Sequence, residues 1–484
     1  MIKLSSKISI ALPLFVVWLI TIAILTYRLN TLGAFASLGV TRCLEYVKDV
    51  GQADPSSIRL NQSYSQWALA LNMTDPSNYI KTGLGFADGK GLNLKNISPA
   101  DPNNKTYMPY YFQGPGTPIV IGAMIKLFGE QTVLPYFILV VCVHLLTAFL
   151  TCILASKFFK DRIYIFGSGL LSLLCPAVLD YNFGCGIFAS EPLTAPFIVL
   201  SLIAMSNFWL ALDESPYSYK RLVINALSFG GALGCAAYFR DIYSTFAAFS
   251  FLVLILFGLI RRTHFKQLIL FVLIGSLVLS AVEYPWKKRN ARYFGEFTMS
   301  GSSYCSSSLW YQVWFDYKES SKWSSHAAMG LGNYLAPEKS KEVLAVLGKN
   351  KQVGNRFAWK SFIEAIWAKP WQALCYKLGV YDTLWCGQRI NAYIYLWCLL
   401  STVSFLAFLW LTRFRFIPEL WLFPLFLLCI SPIAHYEHRY SQPFFLFITP
   451  ITVMYLIQYY RNYRRPNCPS IGRQEFEENC SSRL

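Results

Sequence analysis

Apolar blocks of about twenty residues recur along the chain, separated by short basic or polar connections. A helix of roughly that length crosses the ~30 Å hydrocarbon core of a bilayer. In lipid every backbone amide must find its partner inside its own segment, so such blocks fold as helices packed into a bundle. Composition agrees, with 55% hydrophobic and 14% charged residues in 484, where a soluble domain carries about a quarter charged. The net charge of +17 would point to nucleic acid in a soluble protein. Here the Lys and Arg residues lie between apolar blocks and not on one face, so nucleic acid is excluded as a partner. The basic residues are topology signals, with attraction to membrane lipids besides.

The first apolar run, from Ile8 to about Leu29 behind Lys3 and Lys7, is too long for the core of a signal peptide and is followed by no small-residue cleavage site. It is expected to stay as a signal anchor. Further blocks fall at about 133–156, 163–179, 193–212, 222–239, 243–260, 267–284, 392–411, 417–433 and 443–460, ten in all with the first. Alternate connections carry the basic residues: Lys157, Lys160 and Arg162; Lys220 and Arg221; Arg261, Arg262 and Lys266; Arg413 and Arg415; Arg461, Arg464 and Arg465. The positive-inside rule puts these in the cytoplasm together with both termini. The block from Thr117 to Phe128 is short for a crossing and suits a helix at the outer surface.

The fold class expected is therefore an all-α polytopic membrane protein of about ten (10–12) transmembrane helices with two external segments. Its parts are the anchor helix (1–29), an external loop with interfacial helices (30–130), a helix bundle (131–284), a second external segment (285–391), C-terminal membrane helices (392–460) and a cytoplasmic tail (461–484). The cell's plasma or inner membrane is the expected location. Four N-x-S/T sequons, at Asn61, Asn72, Asn96 and Asn104, fit the first external loop. The thirteen cysteines include no CxxC pair, which removes zinc-ribbon and thioredoxin-like readings. Six of them (Cys142, Cys152, Cys175, Cys235, Cys398, Cys429) sit in apolar blocks as small hydrophobes. The outward Cys185, Cys305, Cys375 and Cys386 leave a disulfide open.

This topology collects polar residues on one side: Asp75 ahead of Gly83, Gly85, Gly89 and Gly91; the YFQGPGTP turn (111–118); Asp180 and Glu191; Arg240 and Asp241; WKKRNARYFG (286–295); and HYEHRY (435–440). Singly, each is well explained as a wet outer turn. Together they suggest a polar cavity, because ionisable groups at a bilayer boundary are costly unless paired or solvated. A carboxylate there can take a proton from an attacking hydroxyl or amine. Cations, or a divalent metal ion, can stabilise charge building on a departing phosphate. Asp75 is the candidate base, and Arg240, Arg289, Arg439 and Lys287, with Lys288, are candidate phosphate partners. Glu191, Glu437 and His438 are candidates to orient those cations or to ligate a metal. His435 and His438 flank Glu437, a set that a solvated turn also explains. The glycines near Tyr79 form no phosphate loop, since no GxxxxGK[ST] occurs there; tight turns account for them.

Five segments in order resemble the GT-C superfamily of polytopic glycosyltransferases, in the branch of bacterial aminoarabinose transferases and protein O-mannosyltransferases. They are Asp75 and Tyr79 with FADGKG (86–91), GPGTPIVIGAMIKLFG (114–129), Ser190-Glu191-Pro192, PWKKRNARYFG (285–295), and Glu437, Arg439 and Tyr440. The resemblance implies inverting transfer of a sugar from a polyprenyl-phosphate-linked donor to a lipid, glycan or protein acceptor on the non-cytoplasmic side, with a first-loop carboxylate as base. Asp75 lies further beyond the first span than the family places that acid, so Asp54 and Glu45 are rivals. The chain lacks WWDYG, so it departs from oligosaccharyltransferase catalytic subunits. A polytopic transporter or flippase of lipid-linked or small polar substrates is the alternative class, against which stands the absence of an internal repeat.

Overall fold

The computed structural model describes Leu19, Ala23 and residues 74–95, 106–110, 114–175, 188–213, 218–261, 264–295, 297–299, 331–349, 351–373, 392–413, 417–430 and 443–463. All but two residues of the first apolar block, the four sequon asparagines, Cys185, Cys305, Cys375, Cys386 and the tail from Arg464 lie outside these residues.

The first external segment supplies α1 (Thr74–Ala87), strands β1 (Asn93–Lys95) and β2 (Tyr107–Pro109), and α2 (Gly116–Phe128). The bundle follows as α3 (Val133–Ala155), α4 (Arg162–Leu173), α5 (Glu191–Asp213), α6 (Tyr219–Phe239), α7 (Ile242–Arg261) and α8 (Phe265–Phe294). The second external segment forms α9 (Leu331–Leu335), α10 (Pro337–Lys349) and α11 (Lys351–Ala368). The chain then continues through α12 (Ala392–Leu411), α13 (Pro418–Ile430), a π turn (Phe444–Ile448) and α14 (Thr449–Tyr463). The protein is a multi-pass membrane protein, helical among the described residues apart from one short β ladder.

Among the described residues, Glu191–Leu212, Tyr219–Phe239, Ile242–Ile260, Phe265–Phe294 and the run Gly116–Ala155 are long and apolar enough to cross a bilayer. Three shorter apolar helices accompany them, at Arg162–Leu173, Leu399–Leu411 and Pro418–Leu427. The run Gly116–Ala155 is two helices, because Gly129 takes φ +58° and Gln131 is non-helical, which breaks it at Gly129–Thr132. Its first part, α2, has thirteen residues, about 20 Å of helix against a ~30 Å core. It packs on α1, where Ile121 meets Gly83.

Local chemistry sets the helix ends. The Asp161 carboxylate accepts from the Ile163 amide at 3.1 Å to start α4, and the Ser218 hydroxyl accepts from Arg221 N at 3.4 Å to start α6, each taking up a donor the helix leaves unpaired. Gly295, at φ +74°, ends α8 in the left-handed conformation that glycine adopts without a Cβ clash. At thirty residues, α8 is about 45 Å long and outruns the hydrocarbon core. Its last turns therefore carry the PWKKRN segment out of the apolar part of the bundle.

The core is built on α5, α6 and α8. Phe271 lies 4.2 Å from Phe208 and 5.3 Å from Phe229, ring centre to ring centre. A Cβ at Gly230 would sit 2.2 Å from the Gly275 carbonyl oxygen, so α6 and α8 cross backbone against backbone. Lipid offers no hydrophobic drive between helices, and close packing at small residues takes its place. The second external segment has a separate small core of Leu331, Leu335, Ala336, Val343, Ala358, Phe362, Ala365 and Ala373.

Candidate active site

Helix α4 runs antiparallel to α3, with Leu173 level with His144. The starts of α3 and α5 meet through Tyr136 and Phe188, and α6 finishes at the start of α5 through Arg240 and Glu191. The start of α7 meets the later turns of α8 through Ser244 and Glu283, so these ends share one end of the bundle. At that end Tyr136, near the start of α3, stacks on Phe188 at 4.9 Å, immediately before Ser190 and Glu191. Glu191 is the first residue of α5, where the helix dipole favours a negative charge. Arg240 caps the finish of α6 in an extended conformation. Its Nη1 lies 2.6 Å from Glu191 Oε1, both side chains being almost fully buried, and donates to Ser190 Oγ at 3.2 Å. The Ser190 hydroxyl also reaches Glu191 Oε2 at 3.5 Å. This pair is the strongest of the polar contacts foreseen from sequence, joining two residues fifty positions apart.

The first external loop docks beside it. A Cβ at Gly114 would lie 2.1 Å from the Tyr238 carbonyl oxygen, and one at Gly116 would lie 2.8 Å from the Phe239 ring. The Gly-Pro-Gly turn thus rests its bare backbone on the last turn of α6, next to Arg240.

The finish of α8 closes the group. Lys287 Nζ lies 2.6 Å from Glu283 Oε2, and Glu283 is buried. The Ser244 hydroxyl, on α7, donates a short hydrogen bond to the other oxygen of Glu283. Arg289 Nη1 donates to the Tyr110 carbonyl at 2.7 Å and to Asn290 Oδ1 at 3.1 Å, while Nη2 donates to the Leu92 carbonyl at 2.8 Å. Its guanidinium also lies 4.4 Å from the Trp286 ring centre. Arg289 therefore clamps the antiparallel ladder of β1 and β2, in which Asn93 pairs with Pro109 and Lys95 with Tyr107, onto α8. Asn290 Nδ2 donates to the Thr298 carbonyl at 2.8 Å and Trp286 Nε1 to the Met299 carbonyl at 2.7 Å, folding the chain back after the helix. Lys288 lies outside this group, its Nζ 5.6 Å from the Tyr284 ring centre.

The ladder itself was not foreseen. Gly83 and Gly85, expected in turns, lie within α1, while Gly89 and Gly91 take positive φ in the turn after it. Asp88 fixes that turn by pairing with Lys95 at 2.8 Å and accepting from the Tyr107 hydroxyl at 2.8 Å. This hydrogen bond, after desolvation, holds the Tyr107 phenol above its usual pKa.

Of the residues foreseen, Glu191 and Arg240 are brought into contact, and Lys287 and Arg289 stand within one turn of α8, on different sides of it, at the same end. Asp75 is the second residue of α1, with its side chain outside the described atoms. Asp180, His435, Glu437, His438 and Arg439 lie outside the described residues. Glu283 and Ser244 escaped sequence reading because both lie inside apolar blocks. The available signal was a lone acid in the last turn of a span with a lysine four residues on. Among the described residues no three or more His, Cys, Asp or Glu side chains are grouped to hold a metal.

No family model matches the sequence, and no curated protein matches it. Two solved structures do. ArnT from Cupriavidus metallidurans bound to undecaprenyl phosphate is 14% identical with a TM-score of 0.37, over 83% of this chain and 79% of that one. The same protein in the apo state is 14% identical with a TM-score of 0.34, over 82% and 77%.

Proposed function

We propose that the chain is an inverting membrane glycosyltransferase that moves a sugar from a polyprenyl-phosphate carrier to an acceptor on the non-cytoplasmic side. The observation that carries this is the buried Glu191–Arg240 pair, placed at the same end as Lys287, Arg289 and the docked first loop. Ionisable groups this fully buried at the end of a membrane bundle are expensive to keep, and in such bundles they mark substrate paths. The five ordered segments that resemble GT-C transferases fall on this end wherever they are described, which supports the same reading.

The acceptor hydroxyl or amine attacks the anomeric carbon from the face opposite the phosphate, and its proton passes to the Asp75 carboxylate. The bond between that carbon and the phosphate oxygen breaks, and the carrier leaves as a polyprenyl phosphate. Arg240 and Lys287 supply positive charge to the leaving oxygens. Glu191 and Glu283 hold those two cations in place, so little reorganisation is needed as charge develops. Arg289 acts by fixing the ladder after α1, and Arg439 is assigned to the same phosphate from its motif alone. A divalent ion would supply further charge neutralisation. Its suggested ligands, Glu437 and His438, lie outside the described residues, and no step is routed through it.

A transporter has one observation on its side, the buried His144 within α3. Its Nε2 lies 3.1 Å from the Leu173 carbonyl, while Thr147 and Thr151 bond to carbonyls of their own helix. That seam joins α3 to α4, as polar side chains do between membrane helices. Incubating the purified protein with a panel of polyprenyl-phosphate sugars and following free carrier phosphate tests the proposal. Release with at least one donor is expected. Movement of intact donor across a vesicle membrane, with no release, would favour the transporter.

A further inference from the structure

We infer that α11 lies along the membrane surface at the site end, with its tryptophan face seated among lipid headgroups. Trp359, Ile363 and Trp367 are spaced four residues apart on one side of α11, and Trp371 lies three residues past its end, beyond a bend at Lys369. Their exposures are 36%, 48%, 80% and 72%. The opposite face of α11 is already used, since Ala358, Phe362 and Ala365 form the small core with α9 and α10. The other side is mixed: Ile363 and Trp367 stay exposed on the same stripe as Arg356 and Lys360, while the Trp359 ring leans 6.1 Å from Phe362 at the edge of the small core.

With 36%, 80% and 72% of their surfaces open, the three tryptophans together expose on the order of 300–450 Å², comparable to the largest apolar patch of a typical soluble protein. Half of the small core is alanine, and a helical unit of this size on so thin a core needs another surface to bury against. Four observations select lipid as that surface. Tryptophan is the side chain that settles at the membrane–water boundary. Residues 331–373 carry seven basic side chains against three acidic ones, which complements anionic headgroups. Arg356 and Lys360 are exposed on the same stripe, seven residues ahead of Ile363 and Trp367, where long cationic side chains can lay their stems on apolar surface and keep their charge at the headgroups.

The fourth is connectivity. The unit is inserted between the finish of α8 and the start of α12. Ser404 lies 3.0 Å from Thr452 and Phe408 meets Tyr455 one turn further along both helices, so α12 runs parallel to α14. Arg461 at the finish of α14 reaches Asp161 at the start of α4, away from the site end. So α12 and α14 both begin at the site end, and the unit is inserted between two helices that meet that surface.

The test uses the full chain in vesicles of phosphatidylcholine and phosphatidylglycerol whose acyl chains are brominated near the headgroup. Emission of the protein minus that of a Trp367→Phe/Trp371→Phe variant isolates the two most exposed tryptophans. That difference emission should be largely lost in brominated vesicles and unaffected by iodide in the water. Ile363→Asp, which sets a charge on the same face, should restore much of it. Quenching by iodide but not by bromine would overturn the inference in favour of a solvated face. Quenching by neither would overturn it in favour of a protein cover, either residues 301–330 or a second copy of the chain.

Discussion

The two ends of the helix bundle carry ion pairs of opposite character. At the site end Arg240 and Glu191 lie 2.6 Å apart with 7% and 4% of their side chains exposed. At the other end Arg461 and Asp161 lie 3.8 Å apart with 48% and 51% exposed, and Arg461 donates weakly to the Tyr164 hydroxyl at 3.4 Å. Water solvates the second pair whether or not it forms, so its net worth is small. The first pair has given up its water, and each member depends on the other. The same residue types thus stay solvated at one end and form a buried polar pair at the other. Burial is what separates the two.

Removing single charges should break or sharpen that contrast. The largest effect is expected for Arg240→Ala, which leaves Glu191 buried without its cation. A loss of about 3–5 kcal/mol, read as a fall in melting temperature of the detergent-solubilised protein, should come with loss of sugar transfer. Glu283→Gln should cost less, about 1–3 kcal/mol, because Lys287 is 26% exposed and can turn to water. Its transfer rate should fall more than its stability. Arg289→Lys should cost about 1 kcal/mol, since one ammonium cannot replace the fork that spans the Leu92 and Tyr110 carbonyls. Faster proteolysis around the β1–β2 ladder, at nearly unchanged overall melting, is the signature to seek. Arg461→Ala should leave melting and transfer unchanged, and a large drop there would erase the distinction between the two ends.

The apolar blocks made most of the helices legible. Every expected span within the described residues appears as a helix, because a bilayer fixes length and polarity together. Two ends differ: the block expected at 267–284 continues as helix to Phe294, ten residues into the segment expected outside the bundle, and the block expected at 163–179 leaves the helix after Leu173. The separate helix at Gly116–Phe128 was also legible, from its short run and the glycine that follows. The Glu191–Arg240 contact was legible only as two residues on one side; no periodicity links positions so far apart in sequence. Glu283 was hidden by the apolar residues that bury it. The β1–β2 ladder was hidden because its strands are three residues each and are held by Arg289 from a distant helix. In each case what was missed is a tertiary contact between segments, which local pattern does not encode.

The central claim, that the site end transfers sugar from a lipid phosphate with a first-loop carboxylate as base, is tested most directly by Asp75→Asn. The variant should melt as the unaltered protein does and insert normally. Given a polyprenyl-phosphate sugar that the unaltered protein turns over, it should release no carrier phosphate. Release at the unaltered rate by a normally folded Asp75→Asn protein would contradict the account.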